Sequence, residues 1–156
     1  NLAVPQSAEE YEAEYVAEND LACRVLRTGD LDPTYTCHGW VPTGGRYALR
    51  SEDIEQILAD NHYRQIEDPL PGDLIIYRSA DGAIQHTGLV RSLLDGGVVL
   101  VESKWGPLGR YLHTPDAQPY GTDYAFYRSP RHGHLLSLVD APAHQDRPRP
   151  KPQPHA

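Results

Sequence analysis

The chain has 156 residues, the size of one domain that can bury a core of its own. Its formal net charge is −8, and this acidic balance argues against a nucleic acid as the main partner. No apolar run approaches the ~18 residues that a membrane helix needs, so we expect no membrane span. The first residues show no signal peptide, and the sequence leaves localisation and oligomeric state open.

Two longer helices are predicted in the first half of the chain. Ser7 followed by Glu10 matches a capping box, and apolar residues at helical spacing then predict one helix that ends at Gly29, with a break near Asn19-Asp20 as the alternative. Cys23 lies near the apolar side of this predicted helix, so we expect it to be a small core residue. Ser51 can cap a second helix, which carries a buried apolar stripe.

A short helix is predicted between these two, in the stretch TCHGWVP. It begins at Cys37 and is interrupted by Pro42 and by Gly44-Gly45. Cys37 could also form a disulfide with Cys23 in an oxidising compartment, and that pairing would leave no free thiol.

The second half of the chain predicts an antiparallel sheet. Strand-like segments alternate with turns that carry Asp81-Gly82 and Asp95-Gly96-Gly97. The fold class is therefore α+β, with N-terminal helices packed on the sheet. The segment from Gly106 to Tyr124 is predicted to be a long loop over a cleft. The predicted strands are 73–78, 84–92, 98–102 and 125–128.

The composition changes after residue 130. The last 15 residues hold five of the 14 prolines, which is typical of a disordered or polyproline-like segment. We therefore assign residues 1–130 to the folded domain and residues 131–156 to an extension, disordered from about residue 142.

Three side chains could supply thiol chemistry. A cysteine nucleophile needs a depressed pKa, a base and a group that orients the base. Cys37 opens a short helix, where the helix dipole favours a thiolate and backbone N–H groups could hold an oxyanion. His86 lies near the start of one predicted strand and Glu102 near the end of the next, and such ends are neighbours in an antiparallel hairpin.

The register of this hairpin decides whether His86 and Glu102 can meet. If the residue numbers of cross-strand partners add to an even value, both side chains lie on one face of the sheet. An odd value places them on opposite faces, and the sequence leaves both registers open. Gly88, on the same face as His86, would let a packed helix approach closely.

These residues resemble a known superfamily. YTCHGW around Cys37, PGDLIIY at 71–77, HTGLV from His86 and VLVESKWG around Glu102 are similar to the motif series of the papain-like NlpC/P60 and CHAP superfamily. The resemblance covers about residues 35–128. It implies a papain-like fold and a cysteine peptidase or amidase, with Cys37 as nucleophile, His86 as base and Glu102 as orienting group. Many members cut peptidoglycan stem peptides, and no metal or organic cofactor is required.

Several alternatives stay open beside this interpretation. Ser103 or Lys104 could fill the third position instead of Glu102. The chain could be a non-catalytic binding module on the same fold, or an effector hydrolase that acts on a protein amide. The expected partner is a peptide or peptidoglycan substrate, and a wall substrate would place the protein outside the cytoplasm.

Overall fold

The computed structural model describes residues 7–131. The chain forms an α+β fold, as predicted, in which helices flank one antiparallel sheet. The predicted extension at 131–156 lies almost wholly outside the described residues. In chain order the elements are α1 (Ala8–Glu18), β1 (Val25–Gly29), α2 (Cys37–Thr43), α3 (Ser51–Asp60), β2 (Arg64–Ile66), β3 (Leu74–Arg78), β4 (Ile84–Leu94), β5 (Val98–Lys104), β6 (Arg110–His113) and β7 (Tyr124–Arg128).

The sheet has seven strands in the order β1-β6-β5-β4-β3-β7-β2, and each neighbouring pair is antiparallel. The central hairpin, β4 and β5, is closed by a single 3-10 turn at Asp95–Gly97. Among residues 7–131, no helix is long and apolar enough to cross a membrane.

The two faces of the sheet bury different sets of side chains, because successive residues of a strand point to opposite faces. One face, here called the α3 face, packs Leu74 and Ile76 against Ile57 of α3. The opposite face, here called the Tyr77 face, buries Tyr77 and Val101. Fully burying one such aliphatic side chain stabilises the fold by roughly 1.5–3 kcal/mol.

The predicted first helix does not continue to Gly29, whereas the alternative of a break near Asn19-Asp20 is confirmed. It ends at Glu18, and Asp20 then takes a left-handed conformation with φ 56° that stops the helix. Val25–Gly29 form β1 instead, because this segment pairs with β6, about 85 residues further along the chain. Cys23 is exposed rather than buried, since it lies in the turn before β1.

The four strands predicted from alternation are confirmed to within two residues at each end. Two short strands, β2 and β6, were not predicted, and β6 lies inside the predicted long loop. Each has only three or four residues, too few for a period of two to stand out, so their pairing partners define them. The predicted helix at Ser51 is confirmed, although Arg50 occupies the N-cap position.

Candidate active site around Cys37

Helix α2 begins at Cys37, as predicted, and presses it against the α3 face of the sheet. Gly44 ends the helix in the left-handed conformation, with φ 64°. A Cβ atom on Gly39 would lie only 2.1 Å from the carbonyl oxygen of Tyr47, so this close approach requires glycine. The Cys37 side chain is consequently buried, and the residue is 5% exposed. Neither cysteine forms a disulfide.

The imidazole in contact with the thiol is that of His38, the next residue. The Cys37 Sγ atom lies 3.5 Å from His38 Nδ1, and the Thr87 hydroxyl lies 3.3 Å from the same nitrogen. His38 Nε2 lies 3.2 Å from the Ser51 hydroxyl oxygen. His38 was not among the predicted site residues, although it directly follows Cys37 in the chain.

The hydrogen bonds of Ser51 fix the tautomer of His38. The Ser51 hydroxyl donates to the carbonyl oxygen of Ile84 at 2.6 Å, so its oxygen can only accept from His38. His38 Nε2 therefore carries the hydrogen. The lone pair of Nδ1 is left to accept from the Cys37 thiol or the Thr87 hydroxyl, so it is available to a proton of the thiol.

Burial sets the protonation of this pair. Burial raises the pKa of the Cys37 thiol, although hydrogen bonding by Thr87 and the charge of Lys104 act in the opposite direction. Burial also lowers the pKa of His38 to about 4. At neutral pH the pair is therefore a thiol beside a neutral imidazole. This direction is opposite to the depressed thiol pKa that the sequence analysis expected of a nucleophile.

His86 lies on the other face of the sheet. It pairs with Tyr77 across β3 and β4, and it alternates with Thr87, which contacts His38 on the α3 face. The His86 ring is stacked on Tyr120, with ring centroids 3.9 Å apart, and is tilted against Tyr77 at 5.4 Å. The structure therefore does not bring the predicted base into hydrogen-bonding contact with Cys37.

The His86 imidazole is completely buried, and neither nitrogen has a hydrogen-bond partner among the described residues. Burial lowers its pKa well below the ordinary value, and the neighbouring His113 and His38 act in the same direction. A buried polar group without a partner is rare in folded proteins and costs stability.

Glu102 is also kept away from His86. Leu89 pairs with Glu102 and Val90 with Val101, so partner numbers add to 191 and the two side chains lie on opposite faces. The predicted orienting role of Glu102 for His86 is therefore not supported. Glu102 instead accepts hydrogen bonds from Thr28 at 2.5 Å and Arg91 at 2.8 Å. Burial would raise its pKa, but these bonds outweigh burial and lower it.

A β-bulge explains this register. Near the turn Leu94 pairs with Val98, which gives an even sum of 192. The register shifts between Val90 and Ser92, so every pair beyond the shift has an odd sum. A hairpin that continued regularly from its turn would have placed Glu102 on the face of His86.

The other two candidates for the third position have separate partners. The Ser103 hydroxyl lies 2.7 Å from His113 Nε2 and accepts a hydrogen bond from Trp105. His113 Nδ1 lies 2.7 Å from the Thr114 carbonyl oxygen, so it carries the hydrogen. Lys104 projects from the α3 face, where its charge acts on Cys37. Within residues 7–131 no cluster of three or more acidic, His or Cys side chains could hold a metal ion.

Comparison with known protein families, with curated proteins and with solved structures finds no significant match. The fold and the site alone define an α+β domain in which a buried cysteine and its neighbouring histidine face each other.

Proposed function

We propose that this chain is a cysteine peptidase or amidase of the papain-like NlpC/P60 and CHAP type, with Cys37 as nucleophile and His38 as the base. The observation that carries the proposal is the 3.5 Å contact between Cys37 Sγ and the unprotonated Nδ1 of His38. Nucleophile, base and orienting group then follow one another as Cys37, His38 and Ser51.

The proton is transferred as the thiol attacks, because the resting pair is neutral. His38 Nδ1 takes the proton from Cys37, and the sulfur forms a bond to the amide carbonyl carbon. The imidazolium then donates that proton to the leaving amine as the C–N bond breaks. A thioester remains on Cys37, and water hydrolyses it with His38 again acting as the base.

The proposal departs from the superfamily in its choice of base. Resemblance assigns this role to His86, whose ring lies on the Tyr77 face beneath Tyr120. His38 shares the α3 face with Cys37 and has a fixed tautomer, so the contacts support His38. Glu102 has no role in this mechanism, because its carboxylate is engaged by Thr28 and Arg91.

Matched histidine variants test the choice of base. Hydrolysis of a fluorogenic peptide or amide should be abolished in Cys37→Ala and reduced about 10²–10⁴-fold in His38→Gln, the usual range for a lost general base. His86→Gln should retain activity once its folding has been checked by circular dichroism. Loss of activity in His86→Gln alone would assign the base to His86, and full activity in Cys37→Ala would end the proposal.

The proposed substrate is an amide bond of a peptidoglycan stem peptide, which rests on the resemblance of the motifs. Purified cell walls embedded in a gel should be cleared by the native protein and not by Cys37→Ala. The net charge of −8 disfavours approach to anionic wall polymers. Cleavage of a protein substrate without clearing of walls would indicate the effector hydrolase instead.

The second candidate function is a non-catalytic binding module on the same fold. It is favoured by the 5% exposure of Cys37 and by the raised pKa of its thiol. Such a thiol should react slowly with iodoacetamide at pH 6, and mutation of His38 should not change the rate. A rate that falls in His38→Gln would support the hydrolase.

A further inference from the structure

Lys104 is a lysine with no exposed surface. Its Nζ atom donates hydrogen bonds to three backbone carbonyl oxygens, those of Asp32 at 2.8 Å, Gly106 at 2.8 Å and Leu108 at 2.5 Å. These three bonds use every hydrogen of the ammonium group. No carboxylate of the described residues forms an ion pair with it. A buried lysine whose ammonium is bonded only to carbonyl oxygens is unusual, and the negative charges of Asp32 and Glu12 help to keep it protonated.

The three acceptors connect separate parts of the chain. Gly106 and Leu108 lie in the turn between β5 and β6, whereas Asp32 lies in the segment that leads into α2. The ammonium also lies 4.9 Å from the centroid of the Tyr35 ring, within the range of a cation–π contact. Lys104 thus fixes residues 32–35, directly before Cys37, to the end of the central hairpin.

The positive charge of Lys104 acts to lower the pKa of the Cys37 thiol. Its positive charge favours the thiolate form of Cys37, and a negative charge on Cys37 in turn favours the ammonium form of Lys104. Burial opposes both charges and lowers the pKa of Lys104 to about 8, with a contribution from Arg110 in the same direction. The negative charges of Asp32 and Glu12 act in the opposite direction. Lys104 is therefore charged at neutral pH and begins to lose its charge only a little above it.

We propose that Lys104 is a positioning residue of the proposed hydrolase, which holds the segment before Cys37 in place and supplies the counter-charge for its thiolate. The inference deepens the proposed function and rests on it. When His38 takes the thiol proton, a negative charge appears on a buried sulfur, and the ammonium of Lys104 offsets that charge without itself giving up a proton.

The chain makes this coupling measurable, because it has only two cysteines and two lysines. In a Cys23→Ser background, alkylation by iodoacetamide reports on Cys37 alone. Replacing Lys104 by methionine keeps the apolar stem and removes the charge. We expect the alkylation rate at pH 6.5 to fall at least about tenfold, which corresponds to one pKa unit of the thiol.

The pH dependence of the alkylation rate distinguishes a counter-charge at Lys104 from a purely structural role of this residue. The difference between the two proteins should close above about pH 9, where Lys104 has lost its proton in the parent protein. Lys104→Arg, which keeps the charge, should alkylate within about threefold of the parent at pH 6.5. If Cys37 is alkylated at equal rates in Lys104→Met and the parent, Lys104 supplies no counter-charge. A ratio of the two rates that is the same at every pH would contradict the proposal as well.

A second measurement needs no substitution at the buried lysine. Labelling with ¹³C at the lysine Cε gives two NMR signals, from Lys104 and Lys151. One should titrate near pH 8, well below the ordinary lysine value of about 10.4. A Lys104 signal that titrates well below pH 6.5 would leave the lysine neutral when the thiolate forms and would overturn the counter-charge. Neither measurement uses an amide substrate, so this coupling can hold or fail independently of whether Cys37→Ala abolishes hydrolysis.

Discussion

Replacing His86 by phenylalanine should stabilise the protein at pH 7. The imidazole is completely buried, and both of its nitrogens lack a partner among the described residues. An unsatisfied buried polar group costs about 1–3 kcal/mol. A phenyl ring removes that cost and keeps the stacking on Tyr120. Some repacking strain opposes the gain, so we expect the free energy of unfolding to rise by about 1 kcal/mol, the low end of that range.

His113→Phe is the matched control. His113 lies on the same face and is 2% exposed, but its two nitrogens are bonded to Ser103 and to the Thr114 carbonyl. The same substitution there removes both hydrogen bonds and leaves the buried Ser103 hydroxyl without its acceptor, so it should destabilise the protein by about 1–3 kcal/mol. Urea denaturation at pH 7 measures both changes. If His86→Phe destabilises the fold as much as His113→Phe, the reasoning from unpaired nitrogens is refuted.

The His86→Phe variant should also change how the free energy of unfolding depends on pH. The pKa of His86 in the folded protein lies well below 6.5, so as the pH falls below 6.5 the unfolded chain binds a proton that the folded chain does not. Stability is therefore full above pH 6.5 and is lost below it, by about 1.4 kcal/mol per pH unit for each such histidine. His38 and His113 contribute with the same sign. In His86→Phe the free energy of unfolding should fall less steeply with decreasing pH, by about 1.4 kcal/mol per pH unit. Urea denaturation between pH 7 and pH 5 measures this slope.

Three further predictions concern the site and the sheet. The acid limb of kcat/KM should lie near pH 4, because the pKa of His38 is about 4, and a limb near pH 6.5 would contradict its assignment as base. Gly88→Ala should cost about 1–3 kcal/mol in urea denaturation, because the new Cβ would lie 2.9 Å from Val101 Cγ1 and 3.1 Å from the backbone oxygen of Glu102. An unchanged unfolding midpoint would show that the sheet can widen there. In the native protein Cys23 should be alkylated much faster than Cys37, and urea should make the two rates equal, as followed by peptide mass mapping. Fast labelling of both thiols before unfolding would contradict the burial of Cys37.

The strands that the sequence predicted are those whose own side chains carry the signal. LIIYR in β3 and VVLVESK in β5 are rich in β-branched and aromatic residues, and each is long enough to be recognised alone. β1 was assigned to a helix because VLRTG continues a helical spacing, and only its pairing with β6 makes it a strand. Pairing over such a distance leaves no local pattern to find.

The candidate site likewise has one part that the local sequence predicts and one part that depends on contacts with distant residues. The short length of α2 was predictable, because Gly44 ends it in the left-handed conformation. The prediction that Pro42 interrupts the helix was wrong, since Pro42 lies inside α2. The partner of the thiol was not predictable, since contact with the adjacent His38 depends on Ser51 and Thr87, which lie on other elements. Gly88 was predicted to admit a helix, but it faces Val101 and Ile75 within the sheet.

The bulge at Arg91 shows how a site of this kind can change between relatives. Arg91 is the extra residue that shifts the pairing of β4 and β5. Its guanidinium also binds the Glu102 carboxylate, which lies on the face opposite to His86. The gain or loss of one residue in this hairpin can exchange the side chains that share a cavity while every motif stays intact. The number of residues in this hairpin therefore decides which side chains of β5 share a face with His86.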